Sequence, residues 1–182
     1  MDHLIPNLRL HFDCLEDRMR CFAAQGVQLE GWFKGELLFA LNSCREKDAI
    51  QCFDREVKAL EGRKGIDLKV TSNGLHWVEI KHWLIGMQRS NKWAPSNYFA
   101  DRTGVVNDVD KLLRIEGSAT RWLLVLNTAN PGPAAWQAGL DGFNRKFAPR
   151  RLLSLTDPAD FPLSYCLGLL QVNEASSAMT AI

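Results

Sequence analysis

"GIDLKVTSNGLHWVEIKHW", residues 65–83, decides the reading of this chain. Two segments of alternating character flank Asn73-Gly74, and an Asn-Gly pair in that setting is a strong hairpin signal. Strand side chains alternate between faces, so Ile66, Leu68 and Val70 share one face and Asp67 and Lys69 the other. In the second segment Val78 and Ile80 point one way, Glu79 and Lys81 the other. The stretch therefore predicts two antiparallel strands, 66–70 and 75–83, joined by a tight turn. That hairpin brings Asp67, Glu79 and Lys81 together.

Upstream, residues 13–25 read as a short helix ending near Gly26, and 27–43 as a better one, with Leu29, Phe33, Leu37, Ala40 and Leu41 at helical spacing. "IQCFDREVKAL" (50–60) reads as a strand and "EGRKG" (61–65) as a polar turn. Downstream, 85–104 is irregular and polar. "VVNDVDKLLRI" (105–115) has helical periodicity, and "RWLLVLNT" (121–128) is an apolar run short enough for a buried strand. A helix candidate at 133–147 opens with Pro133, "RLLSL" (151–155) is a core strand, and 163–172 is a further strand candidate. The order predicts an α/β (α+β) domain, a mixed sheet with helices packed against it.

With 182 residues the chain suits one domain, 1–172, followed by a small, polar tail, 173–182, expected to be flexible. A content of 46% hydrophobic and 24% charged residues is ordinary for a globular protein. The net charge of +1 announces no global basic field, which leaves room only for local basic patches. The five cysteines form no CxxC pair and no ligand-like spacing with the histidines, so reduced thiols in a cytoplasmic protein are expected. No stretch approaches the length of a membrane span, and no secretory leader is recognisable.

Two carboxylates a few ångströms apart repel unless something positive sits between them. Mg²⁺ is a natural candidate, because it prefers hard oxygen ligands. A lysine beside such a site orients a water or helps deprotonate it. A solvated strand face carrying an ion pair explains Glu79 and Lys81 equally well when they are taken alone. Two further residues weigh against that: Trp77 and Trp83 flank the pair on its own face. Glu36 also interrupts the row Leu29–Phe33–Glu36–Ala40, an apolar stripe on which a carboxylate needs a partner or a metal. Glu30 lies one step off that stripe and is the weaker candidate.

The set Glu36, Asp67 in "GRKGIDLKV" and Glu79-Ile80-Lys81 in "WVEIKHW" resembles the PD-(D/E)XK nuclease superfamily, which includes restriction endonucleases and Holliday-junction resolvases. The resemblance covers roughly residues 27–160, with Ile66 standing where the name-giving proline would be. It implies a restriction-endonuclease-like central mixed sheet flanked by helices and Mg²⁺-dependent hydrolysis of DNA, with Mn²⁺ able to substitute. The products would carry 5′-phosphate and 3′-hydroxyl ends. It further implies that Asp67, Glu79 and the Ile80 main-chain carbonyl hold the metal, that Lys81 positions the attacking water, and that Glu36 joins through a metal-bound water or a second ion. Glu56 on the preceding strand is either a cleft residue or an exposed strand acid.

An active nuclease needs a basic rim for phosphate. Candidates are Arg89 and Lys92 in "MQRSNKW", with Arg145, Lys146, Arg150 and Arg151 in "NRKFAPRR". Trp93 and Tyr98 are candidate base-stacking residues or simple packing residues. Asn107, Asp110 and Lys111 share one helical turn that approaches the site or forms an ordinary polar surface. DNA is the expected partner, ahead of RNA, since no RNA-binding module is recognisable. The chain acts alone, as a homodimer or as a subunit of a larger complex. The alternative to an enzyme is a catalytically inactive nuclease-fold module for nucleic-acid binding or assembly.

Overall fold

The computed structural model describes residues 4–25, 27, 29–58, 65–84, 105–128, 138, 141, 145, 152–154 and 165–172. In chain order the elements are α1 (Ile5–Asp13), α2 (Glu16–Gln25), α3 (Glu30–Glu46), β1 (Cys52–Val57), β2 (Ile66–Thr71), β3 (Leu75–Leu84), α4 (Val105–Leu113), β4 (Thr120–Thr128), β5 (Leu152–Ser154) and β6 (Tyr165–Gln171). The strands form one mixed sheet in the order β1-β2-β3-β4-β6-β5. The hairpin is present: β2 pairs antiparallel with β3, from Thr71↔Leu75 to Leu68↔Val78. β3 runs parallel to β4 along its length, from His76↔Thr120 to Leu84↔Thr128, so the chain must cross over between them. The remaining neighbours are antiparallel.

One sheet face carries Leu68, Val70, Val78, Ile80, Trp122, Leu124 and Leu126, all buried with residues of α1, α2 and α3. Phe12 of α1 and Phe33 of α3 meet there with ring centroids 5.1 Å apart. The other face, by strand alternation, carries Leu123 and Val125, both fully buried. α4 packs against β3 and β4 with Val105, Val109 and Leu112 at helical spacing, each inaccessible to solvent. Asp67, Glu79 and Lys81 belong to this second face.

The helix expected over 13–25 is α2, Glu16–Gln25, and an unexpected helix, α1, precedes it. Leu4, Leu8 and Phe12 recur every four residues and are all buried, which creates α1 ahead of the break at Cys14–Leu15. Pro6 sits at the start of α1, where its missing N–H costs nothing. The helix expected over 27–43 runs from Glu30 to Glu46. The expected strands agree with β1 to β6 within a few residues at each end. The 133–147 helix as an element, the 85–104 segment and the 173–182 tail lie outside the described residues. No helix among the described residues is long and apolar enough to cross a membrane. The described cysteines Cys14, Cys21, Cys44 and Cys52 are free thiols.

One backbone feature of β1 departs from regular strand geometry. Glu56 has φ 51°, left-handed for a non-glycine residue, and lies between the paired residues Arg55 and Val57. Gly65 passes so close beneath it that a Cβ there would lie 3.1 Å from the Glu56 carbonyl oxygen. Glu56 itself is exposed, the exposed strand acid of the two sequence readings. The left-handed conformation predicts an inverted substitution order. Glu56→Gly should unfold at higher denaturant than Glu56→Val by about 1 kcal/mol or more, although valine is the better strand former. Urea titration of the two variants reads the difference directly.

Candidate active site

The β2–β3 ladder ends at Leu68↔Val78. One step further the register would set Asp67 opposite Glu79. There the strands part, and the Asp67 side chain takes over the role of a backbone acceptor: Ile80 N–H donates to Asp67 Oδ2 at 2.9 Å. β2 meanwhile stays paired with β1 through Val57↔Ile66. The carboxylate thus satisfies a buried N–H that the ladder has abandoned, and it is held beside Glu79 by that bond. Its second oxygen, Oδ1, accepts from Lys34 Nζ at 2.8 Å.

Around this opening the described residues gather four carboxylates, Glu30, Asp67, Glu79 and Asp108, and three lysines, Lys34, Lys81 and Lys111. α3 supplies Glu30 and Lys34, one turn apart and 3.1 Å from each other. Lys81 Nζ lies 3.5 Å from Asp108 Oδ2 and 3.9 Å from Glu30 Oε2. Lys111 Nζ lies 2.5 Å from Glu79 Oε1. Asp108 and Lys111 come from α4, three residues apart and so on one side of that helix.

Glu79 is only 3% exposed, and it is the most strained charge in the cluster. Burial, reinforced by the negative charge of Asp67 and then of Asp108, lifts its carboxyl to about 7 against the pull of Lys111. Burial likewise raises Asp108, opposed by Lys81 and Lys111. Lys34 is raised: burial pulls it down, but Asp67 and Glu30 outweigh that. Glu79 Oε1 and Asp108 Oδ2 are buried without an aligned hydrogen-bond donor among the described residues, although each has a lysine as ionic neighbour.

α3 is docked to the sheet by an unusual acceptor. The Leu29 N–H, at the helix N-cap, donates to Nδ1 of the buried His82 at 3.2 Å. Burial lowers His82 to about 4, so the ring is neutral at physiological pH and free to accept there. One residue from Lys81 in sequence, His82 fixes the end of α3 that presents Glu30 and Lys34. Its depressed value contributes stability that is present above about pH 6.5 and is lost as pH falls through about 4.

The structure brings Asp67 to Ile80 and Glu79, sets Lys81 on the same sheet face against Glu30 and Asp108, and separates Glu36 from them. Glu36 lies 3.1 Å from His11 Nε2 and 3.8 Å from Arg18, against α1 and α2. Six residues along a helix fall about 120° short of two whole turns, so Glu30 and Glu36 cannot share a side. Glu30, the weaker sequence candidate, is the helix acid at the site. Lys34 and Asp108 were not picked out from the sequence. Lys111 was, together with Asn107 and Asp110, both of which are exposed. Trp77 is half-buried on the site face. The side chain of Trp83, and Arg89, Lys92, Trp93, Tyr98, Lys146, Arg150 and Arg151, lie outside the described residues; Arg145 is exposed.

Asp67, Glu79 and the Ile80 carbonyl are hard oxygen donors, and a buried carboxylate oxygen without an aligned donor is what a small cation satisfies. Among the described residues no three His, Cys, Asp or Glu side chains converge tightly enough to hold a metal by themselves. Mg²⁺ is usually held by one or two carboxylates and keeps several waters, so this donor set fits it. Comparison with protein-family models, with curated proteins and with solved structures returned no match.

The lifted Glu79 carboxyl makes a signed prediction for the metal-free protein. A raised folded value contributes stability that is present below about pH 4.5 and lost as pH rises through about 7. Glu79→Gln should therefore be more stable than the parent at pH 8, by on the order of 2 kcal/mol. The gap should close by about pH 4.5. Denaturant unfolding in the presence of a chelator at both pH values measures it.

Proposed function

We propose that the chain is a metal-dependent nuclease that hydrolyses DNA phosphodiester bonds, leaving 5′-phosphate and 3′-hydroxyl ends. One observation carries this reading. Asp67, Glu79 and Lys81 share one sheet face where β2 and β3 part, close enough for the charge of Asp67 to act on Glu79. The strand–strand–strand–helix–strand order around that opening resembles the core of the PD-(D/E)XK superfamily, and a restriction-endonuclease-like fold is part of the proposal.

Asp67, Glu79 and the Ile80 main-chain carbonyl would hold Mg²⁺ or Mn²⁺. When bound, such an ion supplies Lewis-acid polarisation of a phosphoryl oxygen and neutralises the charge that develops on it. Lys81 stands between Glu30 and Asp108, which restrict where its ammonium can point. Its role is to orient the attacking water in line with the scissile bond. Asp67 holds the backbone of Ile80 and so fixes the direction of that carbonyl. DNA, rather than RNA, is the proposed substrate. A cytoplasmic location is in keeping with the free thiols of the four described cysteines.

A second reading has its own observation. Lys34 sits on Asp67 and Lys111 on Glu79, so ammonium groups already compensate both proposed ligands. In that reading the cluster is a structural ion-pair network in a binding or assembly module without turnover.

The test is cleavage of duplex, single-stranded and branched DNA by the purified chain with Mg²⁺ or Mn²⁺. Cleavage should fall by about two orders of magnitude or more in Lys81→Ala and in Asp67→Asn. Equal behaviour of Lys81→Ala and the parent would contradict the proposal. Absence of cleavage together with absence of Mn²⁺ binding would favour the structural network.

A further inference from the structure

We infer that Lys111 is a resident counter-ion for Glu79: its ammonium fills the place beside the inner carboxylate oxygen that a divalent cation would take, and a cation must displace it to bind. The inference rests on the metal-dependent reading above and adds to it the group with which the metal competes.

One feature separates Lys111 from the other lysines of the cluster. It is the lysine nearest the most buried carboxylate, 2.5 Å from an oxygen of a residue 3% exposed. No other donor among the described residues reaches that oxygen, so the Lys111 ammonium is what compensates it. Lys34 hydrogen-bonds to Asp67, a more exposed carboxylate. A lysine ammonium is a compact charge on a flexible four-carbon stem, which can withdraw without moving its helix.

A place for the displaced ammonium is also present. Asp108 lies three residues earlier on the same side of α4, close enough for Lys111 to act on its carboxylate. Its Oδ2 is buried and faces Lys81 at 3.5 Å, again without an aligned donor. Four carboxylates face three ammonium groups, so the cluster carries a net negative charge that a bound cation would offset even with Lys111 moved to Asp108. Without any cation at Glu79 the buried carboxylate would be left uncompensated, which is costly. Lys111 thus stabilises the metal-free protein and weakens metal binding at once.

The experiment is calorimetric titration of Mn²⁺ into the parent, Lys111→Met and Lys111→Gln at one pH, with thermal unfolding of each with and without Mn²⁺. Both variants should bind Mn²⁺ more tightly than the parent, on the order of tenfold. Both should melt below the parent without metal and gain more from Mn²⁺ than the parent does. Binding by the variants where the parent binds none also supports the inference. If parent and variants bind equally, or the variants bind more weakly, Lys111 is not displaced, and the metal-dependent reading stands without it. If none of the three binds Mn²⁺, both fall. Lys111→Gln keeps a donor at the position, and it carries the comparison if Lys111→Met does not fold.

Discussion

The hydrogen bond from Ile80 N–H to the Asp67 carboxylate is the interaction on which the arrangement depends. An antiparallel ladder left to continue past Leu68↔Val78 would consume the Ile80 amide in regular pairing. Here a side chain accepts it instead. β2 parts from β3 there, and the Ile80 amide remains satisfied. The same hydrogen bond also pins a carboxylate next to Glu79, and the charge of that carboxylate adds to the burial that raises the Glu79 carboxyl. β3 stays fully paired with β4 on its other side, so the opening is confined to one edge of one strand. The opening is thereby built on a strand paired along its other edge rather than on a loop.

The carboxylates of the site are balanced by lysines from three different elements. α3 brings Lys34, β3 brings Lys81 and α4 brings Lys111. The helices are placed by hydrophobic packing on opposite faces, with Phe33 and Leu37 on one side and Val109 and Leu112 on the other. The neutral His82 ring then sets the N-terminus of α3 against β3. Packing positions the helices, and the charges are a consequence of where packing leaves them. The most buried member of the cluster, Glu79, is compensated by the ammonium of Lys111.

The hairpin, its facing and the proximity of Asp67, Glu79 and Lys81 were legible because they rest on a period of two and an Asn-Gly turn, both local signals. The helix acid was not. Glu36 falls on the apolar row of α3, and periodicity alone cannot show that α1 and α2 supply His11 and Arg18 to meet it. The Leu4, Leu8, Phe12 spacing was the available sign of α1, and recognising that helix would have offered Glu36 a partner. On α4 the row Val105, Val109, Leu112 marks the sheet-facing side. Asp108 borders that row, whereas Lys111 and Asp110 lie about equally far from it on opposite sides, so the row does not choose between those two. Which carboxylate each lysine meets depends on tertiary placement that no single segment encodes.

The central claim is that the Asp67–Glu79 opening is a divalent-cation site. Crystals of the parent soaked with Mn²⁺ test it most directly through anomalous scattering. The account predicts one anomalous peak between the Asp67 and Glu79 carboxylates, with the Ile80 carbonyl in its coordination shell and the Lys111 ammonium moved off Glu79. A map with no peak there, and Lys111 still seated on Glu79 at saturating Mn²⁺, would contradict it.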